Sequence, residues 1–257
     1  MRLSPAIISL ERAAAAHWQA TEREWLGSWL LRGDGGFTGR ANSALPLGDP
    51  GLPLARAVER VEAWYAARGL PAMIAIPGPA AGAEPGGDGA PDPLDELLAA
   101  RGWQVRSGAA VVMTAQTAAV AATPAPPVPV TFAGQPDDGW LGRYHYRGRE
   151  LPAGAVRLLL SAPGQAFASV LIDGRTAAVG RVSVAAGWGG LTAIDVAPEQ
   201  RRAGLGTAVT SALVAQAARR GARLVFLQVE DGNTAARALY ERCGFQVAHR
   251  YHYRVPG

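Results

Sequence analysis

The 257-residue chain contains one cysteine, no lysine and four histidines. A lone thiol cannot build a disulfide framework, so a reducing compartment, the cytoplasm, is expected. No run of about 18 apolar residues offers a membrane-crossing helix, and the N-terminus lacks a basic-then-apolar leader pattern. His17, His145, His249 and His252 stand without metal-ligand spacing or cysteine support, so no metal site is expected. All 25 basic residues are arginine, against 21 carboxylates, for a net charge of +4. That usage, with abundant alanine and glycine, reflects GC-rich codons rather than a mechanism. The charge is uneven: residues 1–115 carry 10 arginines and 12 acids, residues 116–257 carry 15 arginines and 9 acids. The positive half suits a polyanionic small ligand, and scattered arginines without a recognition motif argue against nucleic acid.

What is present is concentrated in one segment, Val196-Ala197-Pro198-Glu199-Gln200-Arg201-Arg202-Ala203-Gly204-Leu205-Gly206-Thr207. The apolar run Leu191 to Val196 predicts a strand, and Val209, Leu213, Val214, Ala217 and Ala218 give helical spacing over Thr207 to Arg220. The first amides of a helix have no internal partner and carry partial positive charge, which suits a phosphate or pyrophosphate. Gly204 and Gly206 are expected to clear side chains from a close approach of ligand to backbone. No Gly-Lys-Ser/Thr follows, so this is not a P-loop, and Val209 stands where a dinucleotide fingerprint has its third glycine.

Arg201-x-x-Gly204-x-Gly206 resembles the Arg/Gln-x-x-Gly-x-Gly/Ala loop of the GCN5-related N-acetyltransferases. After the apolar strand Leu224 to Val229, Asn233-Thr234-Ala235-Ala236-Arg237-Ala238-Leu239-Tyr240-Glu241-Arg242-Cys243-Gly244-Phe245 is similar to their other signature, Asn-x-x-Ala-x-x-Leu-Tyr-x-x-x-Gly-Phe. Both stand in the family's order, one helix and one strand apart, and the resemblance covers the chain from about Val128 onward.

The resemblance implies an α/β (α+β) fold, a mixed central sheet flanked by helices, and acetyl-CoA as co-substrate. It implies that Arg201, Arg202, Ala203, Gly204, Leu205, Gly206 and Thr207 hold the pyrophosphate. The pantetheine arm would lie along Ile194, Asp195 and Val196, where the strand splays from its neighbour, with the Val196 amide donating to the thioester oxygen. Asn233 and Ala236 would touch the arm; Asn233 is also a good helix N-cap. Tyr240 would be the general acid for the departing thiolate, although a tyrosine there also closes a core. The family's usual glutamate falls on Gly190, which cannot serve; Asp195, Glu230 and Glu150 are nearby, and the base stays unassigned. Cys243 reads as a small packing residue. Acceptor contacts are expected from Asp137 to Ser161, with Trp140, Arg143, Tyr144, His145, Tyr146, Arg147 and Glu150; Trp140, Leu141 and Tyr144 fit a buried helix face equally well. Trp188 lines a pocket mouth or covers an edge. Arg143 to Arg147 and Arg250 to Arg254 share one pentapeptide, by coincidence.

The first half reads as a worn copy of the second. At an offset of 152 residues, Arg220-Gly221 falls on Arg68-Gly69 and Pro198 on Pro46. Asp49, Leu52 and Leu54 then replace Arg201, Gly204 and Gly206, and at an offset of 142 Leu98 replaces Tyr240. The expected organisation is a degenerate acetyltransferase-like domain at 1–115, with Trp29 to Arg32 and Phe37 to Ser43 as early strands. An Ala/Pro-rich linker at 116–129 and a catalytic domain at 130–257 would follow. This plan is similar to that of actinobacterial tandem acetyltransferases, mycothiol synthase among them. The expected activity is direct acetyl transfer to a primary amine of a small molecule or peptide, by a monomer or homodimer. A longer acyl group, or acyl-CoA binding without catalysis, are the rivals.

Overall fold

The computed structural model describes residues 3–82, 92–145, 151–152 and 154–257. The chain forms two compact units, each of mixed α/β character with helices against sheet. One comprises Met1–Val111, Glu230–Gly232 and Val247–Gly257; the other comprises Val112–Val229 and Asn233–Gln246.

In the first unit, helix α1 (Pro5–Ala16) precedes the antiparallel strands β1 (Glu22–Leu26), β2 (Trp29–Gly33) and β3 (Leu45–Pro46). Helix α2 (Leu54–Ala66), strand β4 (Ile74–Ala80), helix α3 (Pro93–Ala100) and the short strand β5 (Gln104–Val105) follow. Helix α2 presents Val58, Val61, Trp64 and Tyr65 at helical spacing to Trp29, Leu31, Ile74 and Leu98, which makes one core. Phe37 to Ser43 is not a strand. Its polar side chains take the backbone instead: Asn42 Oδ1 accepts from the Asp34 and Gly36 amides (2.7 and 2.9 Å), and Ser43 Oγ donates to the Gly39 carbonyl (2.7 Å). Such local bonds compete with a sheet ladder, and residues Gly39–Ala41 form a 3₁₀ turn.

The second unit is built on strands β6 (Ala110–Gln116), β7 (Thr131–Ala133), β8 (Ala166–Ile172), β9 (Arg175–Ala185), β10 (Trp188–Val196) and β11 (Leu224–Glu230). Their order is β6-β11-β10-β9-β8-β7, antiparallel from β7 to β10, with β10 and β11 parallel. Helices α4 (Thr117–Ala121), α5 (Asp138–Arg143), α6 (Ala155–Leu159), α7 (Leu205–Arg219) and α8 (Thr234–Arg242) pack against them. The stretch read as an Ala/Pro-rich linker is helical at Thr117–Ala121: Val120 is buried, and the Thr117 amide donates to the Arg223 carbonyl. Helix α7 buries Val209, Leu213, Val214 and Ala217, four of the five apolar positions read from the sequence. A carbon placed on Gly180 would meet Leu213 Cδ1 and Val209 Cγ1 at 2.8 Å, so the helix lies directly on β9 there.

The last strand, β12 (Gln246–Val255), pairs antiparallel with β4 and β5 in the first unit. Alternation puts Tyr251 and Tyr253 inside. His252 and Arg254 reach Asp95 of α3 at 2.9 and 2.7 Å. In the matching pentapeptide Arg143 ends a helix, unlike Arg250, which lies within a strand.

Candidate active site

Strands β10 and β11 run parallel, so their C-terminal ends, and the helix N-termini that follow them, meet at one edge of the sheet. Ligands of open α/β sheets bind in crevices of this kind. The crevice has a definite start. Pairing between the strands runs from Trp188↔Leu224 to Leu191↔Leu227 and stops. Beyond it β10 stays with β9 alone, and a bulge shifts the register between Thr192 and Asp195, with Ala193 at φ +56°. The Ala197 amide donates to the Ala177 carbonyl at 2.8 Å. Antiparallel ladders alternate residue by residue, so the Val196 N–H is directed away from β9, into the gap that β11 no longer fills. Ile194, Asp195 and Val196 line that stretch. The indole of wholly buried Trp140 donates to the Gly180 carbonyl opposite the bulge (3.3 Å), and buried Arg181 reaches Thr192 Oγ1 (3.2 Å).

The chain leaves β10 through Arg201, Arg202 and Ala203, all exposed. Arg202 (φ +65°) and Gly204 (φ +80°) are left-handed. Helix α7 begins at Leu205, two residues earlier than its apolar spacing implied, and no side chain caps it. The amides of Leu205, Gly206 and Thr207 precede the first intrahelical bond, from Ala208 to Gly204. The glycines have packing reasons of their own. A carbon on Gly204 would meet Pro126 Cγ at 2.7 Å, and one on Gly206 would meet Leu239 Cδ1 of α8 at 2.7 Å. Clearance for a ligand is therefore not needed to explain them.

Asn233 caps α8, its Oδ1 accepting from the Ala236 amide at 3.1 Å. Tyr240, two turns along, is buried, with its ring edge-on to Phe245 at 6.0 Å. Its hydroxyl has no hydrogen-bond partner among the described residues. Burial, then the neighbouring Cys243, pushes the phenol above its usual range. Cys243 is buried as well, and Thr207 hydrogen-bonds to its sulfur.

A family profile described as "Probable histone acetyltransferase Rv0428c C-terminal" matches residues 5–254. The chain is 34% identical over 252 residues to "Probable histone acetyltransferase Rv0428c" of Mycobacterium tuberculosis, covering 96% of this chain and 73% of that protein. It is 31% identical over 255 residues to "Uncharacterized N-acetyltransferase YobR" of Bacillus subtilis, covering 97% and 98%. Among solved structures, a GCN5-related N-acetyltransferase from Kribbella flavida superposes with a TM-score of 0.68 at 18% identity, over 97% of this chain and 95% of that one. The chain belongs to the GCN5-related N-acetyltransferase family.

In this N-acetyltransferase the carboxylates named as possible bases have the following surroundings. Asp195 is tied to α5 and the residues after it: its Oδ2 accepts from the His145 amide (3.4 Å), and Arg143 Nη2 lies 3.9 Å from Oδ1. Glu230 is exposed at the end of β11. Glu150, with Tyr146 and Arg147, lies outside the described residues. Trp140 and Tyr144 form the buried face of α5, tilted together at 5.3 Å, while Trp188 covers Phe226 edge-on at 6.3 Å. Sequence reasoning missed Arg181 and the juxtaposition of His145 with Asp195. A buried arginine in an apolar strand is a local signal; the second pairing spans 50 residues and has none. Among the described residues no group of three or more His, Cys, Asp or Glu is placed to hold a metal, and no helix is long and apolar enough to cross a membrane.

Proposed function

We propose that this acetyltransferase moves an acetyl group from acetyl-CoA directly to a primary amine of a small molecule or peptide, within one ternary complex. The observation that carries this reading is the parting of β10 from β11 after Leu191, beside an uncapped helix N-terminus. Those features fit the two ends of the co-substrate. Exposed Arg201 and Arg202, with the amides of Leu205 to Thr207 and the spacing kept by Ala203 to Gly206, receive the pyrophosphate. The backbone of Ile194 to Val196 receives the pantetheine arm, and the Val196 amide polarises the thioester carbonyl. The Asn233 amide nitrogen, free once Oδ1 caps α8, and the turn at Ala236 flank the arm. Tyr240, kept neutral by burial, donates its proton to sulfur as the C–S bond breaks.

The test is calorimetric titration of acetyl-CoA into the wild type and Arg201→Glu/Arg202→Glu, with turnover measured over small amines and lysine peptides. Lysine peptides join the panel because one relative is named a probable histone acetyltransferase. Replacing Gly204 would be a poorer probe, since strain at φ +80° and the Pro126 contact disturb the loop with or without ligand. The wild type is expected to bind, and the double variant to bind at least ~10-fold more weakly, the equivalent of about 1.4 kcal/mol. Equal binding by both would remove the loop from the site.

For the first unit, we propose descent from a second copy of the same domain. Its succession β3, loop, α2, β4, α3 repeats β10, loop, α7, β11, α8. Ala44, just before β3, makes an isolated parallel bridge to Ile74 of β4, the sense in which β10 pairs with β11. Its loop carries Asp49 where Arg201 stands, so it supports the fold without holding a phosphate.

A further inference from the structure

Amine acetylation needs a base, and the family's glutamate position holds Gly190. The chain brings a different group to Asp195, the neighbour of Val196. After α5 the backbone turns so that the His145 amide donates to Asp195 Oδ2 at 3.4 Å, one residue before Val196 in β10. Arg143 Nη2, 3.9 Å from the other oxygen of Asp195, braces the same junction. The His145 ring is half-buried, and its Nδ1 lies 3.1 Å from the Arg143 carbonyl oxygen. A carbonyl can only accept, so Nδ1 carries the hydrogen. In the neutral ring the lone pair is then on Nε2, and the tautomer is fixed by the neighbour's backbone rather than by solvent. A ring held this way is pre-set to take a proton at one atom, as the histidine of a nucleophile–base pair is oriented by a third group.

We propose that His145 is the general base of the transfer, with Asp195 and Arg143 as positioning residues. This rests on the acetyl-transfer reading given above. Nε2 takes a proton from the ammonium form of the acceptor, and the freed nitrogen lone pair forms the C–N bond at the thioester carbon. As the C–S bond breaks, Tyr240 gives its hydroxyl proton to sulfur and receives the proton that nitrogen sheds on becoming an amide. His145 releases its proton to water. One ammonium and one thioester yield one amide, one thiol and one proton.

Among the described residues, the charged groups in contact with His145 or its neighbours are Asp195 from β10 and Arg143 from α5. The experiment uses the full chain and the best amine of the panel. His145→Gln, which keeps size and one polar atom, is expected to bind acetyl-CoA within a few-fold of wild type. It is expected to lose about 10²–10⁴-fold in kcat/KM and the acid limb of its pH profile. His145→Ala is expected to regain rate with added imidazole, which restores a base and not a fold. A glutamine variant that keeps its rate and its acid limb would overturn the assignment while leaving acetyl transfer intact. Lost rate with the acid limb unchanged and no imidazole rescue would overturn it too, marking a structural residue. Acetyl-CoA binding by the wild type without turnover of any amine would sink the transfer reading and this base together.

Discussion

Tyr240 and Cys243 sit three positions apart on one helix turn, and burial acts on both in the same direction. The Cys243 thiol is pushed up by burial, against the nearby Arg242 and the hydrogen bond from Thr207, so it stays a protonated packing group and a poor nucleophile. The Tyr240 phenol is pushed up by burial and by Cys243, so it stays a donor throughout the range in which an acetyltransferase works. Because a thiolate is a weaker base than a phenoxide, the Tyr240 proton passes to sulfur only in step with a replacement proton from the acceptor nitrogen. Tyr240→Phe keeps the ring against Phe245 and removes only that proton. It is expected to lower kcat by about 10²–10⁴-fold while acetyl-CoA affinity, read by calorimetry, changes less than a few-fold. A variant with full kcat would return Tyr240 to a purely packing role. The two signatures marked the tyrosine and the arginines in the sequence as candidates for the site. The N-cap read at Asn233 is present, but sequence could not separate it from a ligand contact, because both favour the same residue type.

Among the elements, the seam between α7 and β10 governs the crevice. Gly189 is its tightest point: a carbon there would lie 2.6 Å from Ala217 Cβ and 2.9 Å from Val225 Cγ1. The Ala217 carbon has no rotamer by which to withdraw, so Gly189→Ala must push the helix off the strand. A loss of about 1–3 kcal/mol is expected, read as a lower denaturation midpoint in urea at unchanged slope. The crowding at Gly206 is softer, since Leu239 Cδ1 ends a flexible side chain and alanine favours a helix interior. Strand, loop and helix were legible here from apolar periodicity, to within two residues at the start of α7. The Gly-x-Gly spacing was legible as a pattern but not as a cause: Gly206 answers to α8, which no local reading of the loop includes. The splay of the strand was expected from the family resemblance alone, since the left-handed Ala193 at its bulge runs against its own propensity and leaves no mark in composition.

At the scale of the whole chain, β12 is fastened in the first unit by charge. Burial alone lifts the Asp95 carboxyl, but hydrogen bonds and charge from Arg254 and His252 outweigh it and hold the group below the usual carboxylate range. A carboxyl lowered in the folded state stabilises above its unfolded value, near pH 4, and that contribution is lost as pH falls through the folded value. Asp95→Asn is expected to flatten the fall in melting temperature below about pH 4 relative to wild type. An unchanged acid slope would mean that the cluster contributes nothing to folding. Domain boundaries placed at 115 and 130 followed composition. Composition cannot reveal that a strand after the last signature helix pairs with β4 and β5, more than 140 residues before it.

That return of the chain orders its maturation. The second unit has every one of its residues once Gln246 is made, whereas the first still lacks Val247–Gly257, the greater part of β12. β4, synthesised early, has no β12 partner until Gln246–Val255 has been made, so the first unit cannot complete its sheet ahead of the second.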